Sequence, residues 1–220
     1  MRFYCIALSL LFFNTLGTSQ NQKKMGKRML ALGDSYTIGE SVAENERWPV
    51  LLIEMLNNAG NNFNKPAILA KTGWTTDELI TAIKEVNPQG TFDLVSLLIG
   101  VNNQYRGNSI SIYQEEFETL LRQAIDFAGG AVKKVLVVSI PDWGVTPFAE
   151  GRDREKIAKE IDAFNEVNKK VTESLGATYV EITGDSRLAA KDLSLIAEDG
   201  LHPSSKMYKH WATAVFKSIH

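Results

Sequence analysis

Strand-like and helix-like segments alternate along this chain from Arg28 to its end. Short apolar runs rich in Val, Ile and Leu are typical of strands that are buried on both faces. The predicted strands are Met29–Leu32, Ala67–Ala70, Leu94–Ile99, Val135–Ile140 and Thr178–Ile182. The predicted helices between and after them are Trp48–Asn58, Thr76–Val86, Ile112–Phe127, Arg152–Leu175 and Ser204–Lys217. This alternation predicts an α/β fold with a parallel sheet that is covered by helices on both faces.

Three of the predicted helices carry more detailed signals. Ser111 followed by Gln114 predicts a capping box at the start of the third helix. In the fourth helix, apolar residues at helical spacing predict a face that packs on the core. They are Ile157, Ile161, Phe164, Val167, Val171 and Leu175. In the last helix, the residues predicted to face inward are Met207, Trp211, Ala214 and Val215.

The chain of 220 residues has no internal repeat, low-complexity tract or linker, which predicts a single domain over residues 28–220. The net charge of -2 and the interspersed charges argue against a nucleic-acid partner. The only cysteine is Cys5, so a chain without its N-terminal segment would have no disulfide and no cysteine ligand for a metal. No glycine-rich phosphate loop follows a predicted strand, which disfavours a phosphate or flavin binder.

The N-terminus has the order of a secretory signal, with a charged residue, an apolar run and then small residues. These are Arg2, residues 3–16, Gly17 and Ser19. We predict a signal peptide over residues 1–19, a short N-terminal extension over residues 20–27 and a periplasmic or secreted protein. The apolar run is shorter than the roughly 20 residues of a membrane span, so no stable span is expected after cleavage. Translation from Met25 would instead give a cytoplasmic protein.

A serine follows the first predicted strand in the sequence Gly33-Asp34-Ser35. Ligands of open α/β sheets bind outside the carboxyl ends of the strands, so Ser35 lies where chemistry is expected. The same tripeptide is also typical of an ordinary turn, because Gly and Asp favour turns and Asp or Ser caps helices. The tripeptide alone therefore does not decide between the two interpretations.

A serine nucleophile needs a base, and the chain has three histidines. His210 lies on the last predicted helix and His220 is the last residue, whereas His202 lies in a turn-forming stretch three residues after Asp199. A carboxylate that holds one imidazole nitrogen protonated leaves the other nitrogen to accept a proton from Ser35. The alternative is that Asp199 begins a turn and His202 caps a helix. The presence of Ser35 favours the catalytic interpretation.

Two further strands end in residues that can donate hydrogen bonds to an oxyanion. Gly73 follows the second strand and offers a backbone N–H, and Asn102 follows the third strand and offers an amide. Each is also common in ordinary turns. Trp74 and Trp143 are candidate substrate contacts at the pocket mouth, with ordinary packing as the alternative for both.

Four short blocks in this order resemble the SGNH (GDSL-type) hydrolases, a family named for its Ser, Gly, Asn and His. The blocks are Gly33-Asp34-Ser35, Gly73, Gly100-Val101-Asn102 and Asp199-Gly200-Leu201-His202-Pro203. The resemblance extends from about Arg28 to the end of the chain. It implies a three-layer α/β/α sandwich that is flavodoxin-like and has about five parallel strands.

The resemblance also implies roles for individual residues. Ser35 is the expected nucleophile, His202 the general base and Asp199 the acid that orients it. The expected oxyanion hole consists of the backbone N–H groups of Ser35 and Gly73 and the side chain of Asn102.

The chain departs from the family at two positions. Tyr36 stands where the family often has Leu, which should matter little. Asn103 stands where the family usually has Asp, which puts the usual hydrogen bonding around the site in doubt.

The expected activity is hydrolysis of a small-molecule carboxylic ester through an acyl-enzyme on Ser35, without a metal or a cofactor. A small acyl group such as acetyl on a carbohydrate is the first expectation for the substrate. A lysophospholipase or thioesterase with the same mechanism is the second. A non-catalytic flavodoxin-like binding module is the alternative from another class, because a fold by itself does not determine function.

Overall fold

The protein is described by a computed structural model that covers residues 26–219. Its sheet has five parallel strands in the order β2-β1-β3-β4-β5. They are β1 (Met29–Gly33), β2 (Ala67–Ala70), β3 (Leu94–Leu98), β4 (Val135–Val138) and β5 (Thr178–Val180). The predicted signal peptide over residues 1–19 and the start at Met25 lie outside the described residues, as does most of the predicted extension over residues 20–27.

Eight α-helices surround the sheet within the described part of the chain. They are α1 (Ser35–Ile38), α2 (Trp48–Asn58), α3 (Thr76–Val86), α4 (Val101–Tyr105), α5 (Ile110–Phe127), α6 (Arg154–Ser174), α7 (Thr183–Arg187) and α8 (Ser205–Ser218). Helix α2 packs against α8, whereas α5 packs against α3 and α6. The predicted three-layer α/β/α sandwich is therefore confirmed.

The three central strands are buried along their whole length. Every residue of β1, β3 and β4 is buried because helices cover both faces of the sheet, which explains why their sequences are almost continuously apolar. The register aligns Gly33 at the end of β1 with Ala70 of β2 and Leu98 of β3. The loops that follow these three strands consequently begin at the same edge of the sheet.

The apolar face predicted for α6 is confirmed. Ile157, Ile161, Phe164 and Val171 are buried, and Val167 and Leu175 are partly buried against the same core. In α8, Met207, Trp211 and Val215 are buried, and Ala214 is partly buried. Within residues 26–219, no helix combines the length and the apolar character that crossing a membrane requires.

The predicted capping box at Ser111 and Gln114 is wrong. Helix α5 begins two residues earlier, at Ile110, and the extended backbone of Ser109 is its N-cap. Ser111 therefore lies inside the first turn, where its Oγ is 2.8 Å from Oγ of Ser109. A reciprocal contact of this kind occurs instead at α3, where the Glu78 carboxylate accepts the backbone N–H of the N-cap residue Thr75 at 2.9 Å.

Candidate active site

The turn after β1 delivers Ser35 to the edge of the sheet. Gly33 ends the strand so close to the backbone of Leu98 and to Thr37 that a Cβ atom would collide with both. Asp34 is the N-cap of α1, and its Oδ1 accepts the backbone N–H of Tyr36 at 3.0 Å. Ser35 is therefore the first residue of a short helix that is anchored by a tight strand-to-helix turn. Both the turn and the cap that the alternative interpretation expected are present, and they hold the serine in place.

Asp34 is completely buried beneath this turn. Burial raises the pKa of its carboxyl group to about 7, because the loss of hydration outweighs the hydrogen bond from the Tyr36 N–H. The Asn102 amide lies 3.5 Å from its Oδ2. The first and third sequence blocks therefore approach each other at this carboxyl group.

His202 and Asp199 form a hydrogen-bonded pair in the loop before α8. The Nδ1 atom of His202 lies 2.6 Å from Oδ2 of Asp199. The other carboxylate oxygen, Oδ1, accepts the backbone N–H groups of Leu201 and His202, both at 2.9 Å. These contacts fix the carboxylate relative to the imidazole, and the His202 side chain is 9% exposed.

Ser41 completes the environment of Asp199, although no sequence motif includes it. Its Oγ donates to Oδ2 of Asp199 at 2.6 Å, the same oxygen that faces His202. Partial burial raises the pKa of Asp199, but the hydrogen bonds from Ser41, His202 and the loop backbone outweigh it and hold the pKa well below its usual range. Ser41 has a φ of 66°, a left-handed conformation that is uncommon for serine and that no local pattern indicated.

Gly73 and Asn102 come from the segments that follow β2 and β3. Gly73 has a φ of 88°, which favours glycine, and its carbonyl accepts the Arg106 guanidinium at 2.6 Å. Asn102 lies in the first turn of α4, where its Nδ2 donates to the carbonyl of Trp74 at 2.9 Å. The segment that contains Gly73 and Trp74 is thus held against α4 and Arg106 by these two hydrogen bonds.

A cavity of about 160 Å³ brings these residues together. Its walls contain five of the predicted site residues, further aromatic rings and a few neighbours. The lining residues are Ser35, Tyr36, Thr72, Gly73, Val101, Asn102, Tyr105, Trp143, Phe148, Leu201 and His202. Asp199 is bonded to the imidazole of His202 but is not itself part of the wall.

The two tryptophans predicted at the pocket mouth differ in position. Trp143 lines the cavity, and its indole N–H donates to Oε1 of Gln104 at 2.7 Å. Trp74 does not line the cavity. Its partly buried ring packs against the hydrophobic core, and it reaches the site only through its carbonyl. Ordinary packing was the alternative to substrate contact for both tryptophans, and it is the role that Trp74 has in the structure.

The aromatic wall of the cavity consists of Tyr105, Trp143 and Phe148. Their ring centroids are 5.3 to 6.2 Å apart, within the range of favourable aromatic pairs. Tyr105 and Phe148 remain exposed, so the wall extends to the protein surface. No sequence pattern indicated these two residues, because the end of α4 and the segment after β4 meet only in the folded chain.

Asn103 is completely buried behind the cavity. Its Oδ1 accepts the backbone N–H of Thr76 at 3.1 Å, and its Nδ2 donates to Oγ1 of Thr76 at 2.7 Å. The hydroxyl of Thr76 in turn donates to Glu116. An ionised aspartate at position 103 has no donor for that hydroxyl, so the amide matches this environment.

The described residues define the chemical groups that the site offers. Over residues 26–219, no group of three or more His, Cys, Asp and Glu side chains is arranged to hold a metal ion. The residues that the cavity does offer are a hydroxyl, an imidazole with a carboxylate partner, an amide and backbone N–H groups. This set can carry out nucleophilic acyl transfer.

Solved structures with the same fold include several esterases. TesA superposes with a TM-score of 0.68 at 18% identity, covering 88% of this chain and 98% of its own. The psychrotrophic esterase EstA from Pseudoalteromonas sp. superposes with a TM-score of 0.64 at 16% identity, covering 88% and 96%. Axe2, an acetylxylan esterase from Geobacillus stearothermophilus, superposes with a TM-score of 0.65 at 20% identity, covering 88% and 94%. At such low identities these similarities show the fold.

The sequence itself identifies the family. Comparison with curated proteins gave no match. The model of the GDSL-like lipase/acylhydrolase family, however, matches residues 31–210, which contain all four sequence blocks. The chain therefore belongs to the GDSL-like lipase/acylhydrolase family and is a carboxylic ester hydrolase.

Proposed function

We propose that this protein is a serine esterase that uses Ser35, His202 and Asp199 to remove small acyl groups, such as acetyl groups on carbohydrate. The observation that carries the proposal is the 2.6 Å pair of His202 and Asp199, with the imidazole on the wall of the cavity that Ser35 lines. Carboxylate, imidazole and hydroxyl are the three parts of a serine-hydrolase triad.

In the proposed first step, Oγ of Ser35 attacks the ester carbonyl and transfers its proton to Nε2 of His202. The Nδ1–H of the resulting imidazolium remains hydrogen-bonded to Asp199, whose low pKa keeps it ionised. The oxyanion accepts hydrogen bonds from the backbone N–H groups of Ser35 and Gly73 and from the Asn102 amide. His202 then protonates the departing alkoxide, and the acyl group remains on Ser35.

In the second step, a water molecule replaces the alcohol. His202 removes a proton from the water as it attacks the acyl-enzyme, and the same donors stabilise the second oxyanion. Collapse of this intermediate releases the carboxylic acid and returns the proton to Ser35. The overall reaction consumes one ester and one water and yields one acid and one alcohol.

The size of the cavity favours a small acyl group. About 160 Å³ is well below the roughly 300–1,000 Å³ of pockets for drug-sized ligands. The aromatic wall of Tyr105, Trp143 and Phe148 suits the face of a sugar ring, and the fold is shared with an acetylxylan esterase. The exposed rings of Tyr105 and Phe148 equally suit a longer acyl chain, which keeps a lysophospholipase or thioesterase as the second candidate.

The test is hydrolysis of p-nitrophenyl esters from acetyl to long acyl chains by the wild type and by Ser35→Ala. Ser109→Ala, at an exposed serine outside the cavity, is the matched control. We expect the wild type and Ser109→Ala to prefer the acetyl ester, and Ser35→Ala to lose activity by about 10³-fold or more with unchanged circular dichroism. A maximum at long acyl chains would support the second candidate instead. Full activity of Ser35→Ala would contradict the proposed nucleophile.

A further inference from the structure

A groove of about 460 Å³ adjoins the cavity and shares Tyr105 and Trp143 with it. The remaining lining includes the cations Arg106, Arg152 and Lys156. A substrate whose acyl group occupies the cavity has its alcohol part free to follow the shared rings into this groove. The groove is therefore the place where the identity of the alcohol can be recognised.

Arg152 lies directly on the shared aromatic wall. The carbon at the centre of its guanidinium is 5.2 Å from the ring centroid of Tyr105, 5.3 Å from Trp143 and 5.4 Å from Phe148. Each distance is within the range of a cation–π interaction. An exposed arginine side chain would otherwise sample many rotamers, and contact with three rings restricts it to one region beside the cavity.

The donors of Arg152 are mostly unused. Its guanidinium donates one hydrogen bond, to the Tyr105 hydroxyl at 3.2 Å, and no carboxylate within residues 26–219 pairs with it. Arg106, in contrast, is bonded to the carbonyl of Gly73 and lies 3.3 Å from Glu78. A guanidinium has five N–H donors in a planar fork that matches a carboxylate or a phosphate.

The two acidic residues of the groove are already engaged. Asp153 accepts the backbone N–H of Lys156 at the start of α6. Glu160 accepts the Gln104 amide at 2.8 Å and lies 3.8 Å from the ammonium of Lys156. Arg152 is thus the cation of the groove that remains without an anionic partner.

We propose that this groove binds the alcohol part of the substrate and that Arg152 recognises an anionic oxygen group on it, a carboxylate or a phosphate. This inference rests on the proposed function and narrows its substrate class to esters of acidic alcohols, such as acetylated sugar acids. In this arrangement the sugar ring contacts the exposed parts of Tyr105 and Phe148 that Arg152 leaves open, and its acidic group meets the free edge of the guanidinium.

The test compares two acetylated sugars that differ in one group. The substrates are fully acetylated methyl glucuronoside and its uronamide, in which an uncharged amide replaces the carboxylate. We expect the wild type to show a kcat/KM at least about 10-fold higher for the uronate, because hydrogen bonds to charged groups are the stronger ones. The preference should shrink in high salt, which screens exposed charges.

Arg152→Gln should reduce this ratio to about one, and Arg152→Lys should retain part of it. Lys159→Gln removes the same charge from an exposed position of α6 outside the groove and should keep the ratio of the wild type. Acetylated methyl glucoside 6-phosphate distinguishes a carboxylate from a phosphate preference. A ratio near one in the wild type, or an undiminished ratio in Arg152→Gln, would overturn the inference.

Calorimetric titration of the Ser35→Ala variant with methyl glucuronoside separates this inference from the proposed function. Binding that is lost in the Ser35→Ala, Arg152→Gln double variant would support the groove even if the wild type hydrolysed no ester. Hydrolysis of p-nitrophenyl acetate with no discrimination between the two sugars and no binding would leave the proposed function standing and the inference refuted.

Discussion

The carboxylate of Asp199 receives four hydrogen bonds, from Ser41, from the His202 ring and from two backbone N–H groups of its own loop. Such a carboxylate resists protonation and rotation, so the imidazole of His202 always faces an anion in one orientation. The donor supplied by Ser41 is the one that comes from a different part of the chain. Its contribution can be measured without changing the proposed triad.

Replacing Ser41 should lower activity through the lost hydrogen bond and should change stability through the backbone conformation at this position. Ser41→Ala and Ser41→Gly both remove the hydrogen bond to Asp199, and we expect kcat to fall by about 10-fold in each, equivalent to about 1.4 kcal/mol. Glycine tolerates the φ of 66° at this position, so Ser41→Gly should be more stable than Ser41→Ala by about 1 kcal/mol. Steady-state kinetics and urea unfolding measure the two effects. Unchanged kcat in both variants would refute the role of Ser41.

The buried carboxyl group of Asp34 should make stability depend on pH. Its pKa is about 7 in the folded protein and 3.8 in an exposed chain, so between these values the folded state binds the extra proton. Its contribution to the free energy of unfolding therefore falls as the pH rises from about 4 to about 7, by up to about 1.4 kcal/mol per pH unit. Above pH 7 the contribution is constant.

Asp34→Asn removes this titration while asparagine can still cap α1. Urea unfolding of both proteins between pH 4 and 8 isolates the effect, because other groups cancel in the difference. We expect the stability of the wild type relative to Asp34→Asn to decline across this interval. Parallel stability curves would show that Asp34 is ionised at all these pH values.

At the scale of the elements, apolar runs predicted which residues are buried more accurately than they predicted which residues pair as strands. Helices α2 and α3 and strand β2 have the predicted bounds, but three strands end one or two residues before their apolar runs do. Ile99, Ile140 and Ile182, the last residues of these runs, are completely buried without belonging to a strand. An apolar run indicates that its residues are buried, whereas strand pairing ends where the chain turns away from the sheet towards the site. The start of α5 was missed because either Ser109 or Ser111 can cap a helix.

The turn before α4 should tolerate little change. Gly100 has a φ of 128°, and a Cβ atom there would collide with the Tyr113 ring. Gly107 also has a positive φ, of 71°, but a Cβ atom there meets open space. We expect Gly107→Ala to cost about 1 kcal/mol of stability for the backbone alone, and Gly100→Ala about 3 kcal/mol or more because the collision adds to it.

Urea unfolding of these two glycine variants measures the difference, with Gly107→Ala as the control for the backbone conformation. Gly100→Ala should also lower esterase activity, because it shifts the start of α4, which carries Asn102. Equal stability of the two variants would show that the contact with Tyr113 does not constrain this turn.

At the scale of the whole molecule, the site is assembled from segments that are far apart in sequence. The parallel sheet aligns the ends of β1, β2 and β3, so the predicted alternation of strands and helices was sufficient to place Ser35, Gly73 and Asn102 at one edge of the sheet. Short motifs were sufficient to identify these residues because the fold fixes where each strand ends.

The predicted export signal over residues 1–19 stays a prediction.

Sequence could not predict the contacts that depend on how long loops pack. Ser41, Tyr105, Phe148 and Arg152 have no motif and no periodicity, and each reaches the site through a loop or a helix end. Trp74 is the converse case, since its place beside Gly73 in sequence does not bring its ring to the cavity. Being next to a site residue in sequence does not predict where a side chain points when that residue is a glycine with a positive φ.

The central claim is that Ser35 is a nucleophile activated by His202. Its most direct test is labelling of the purified protein with a fluorophosphonate, followed by mass spectrometry of the peptides. The account predicts one phosphonate per chain, on Ser35, with labelling that is abolished in His202→Ala but not in His210→Ala. Labelling of another residue, or labelling of Ser35 at an equal rate in His202→Ala, would contradict it.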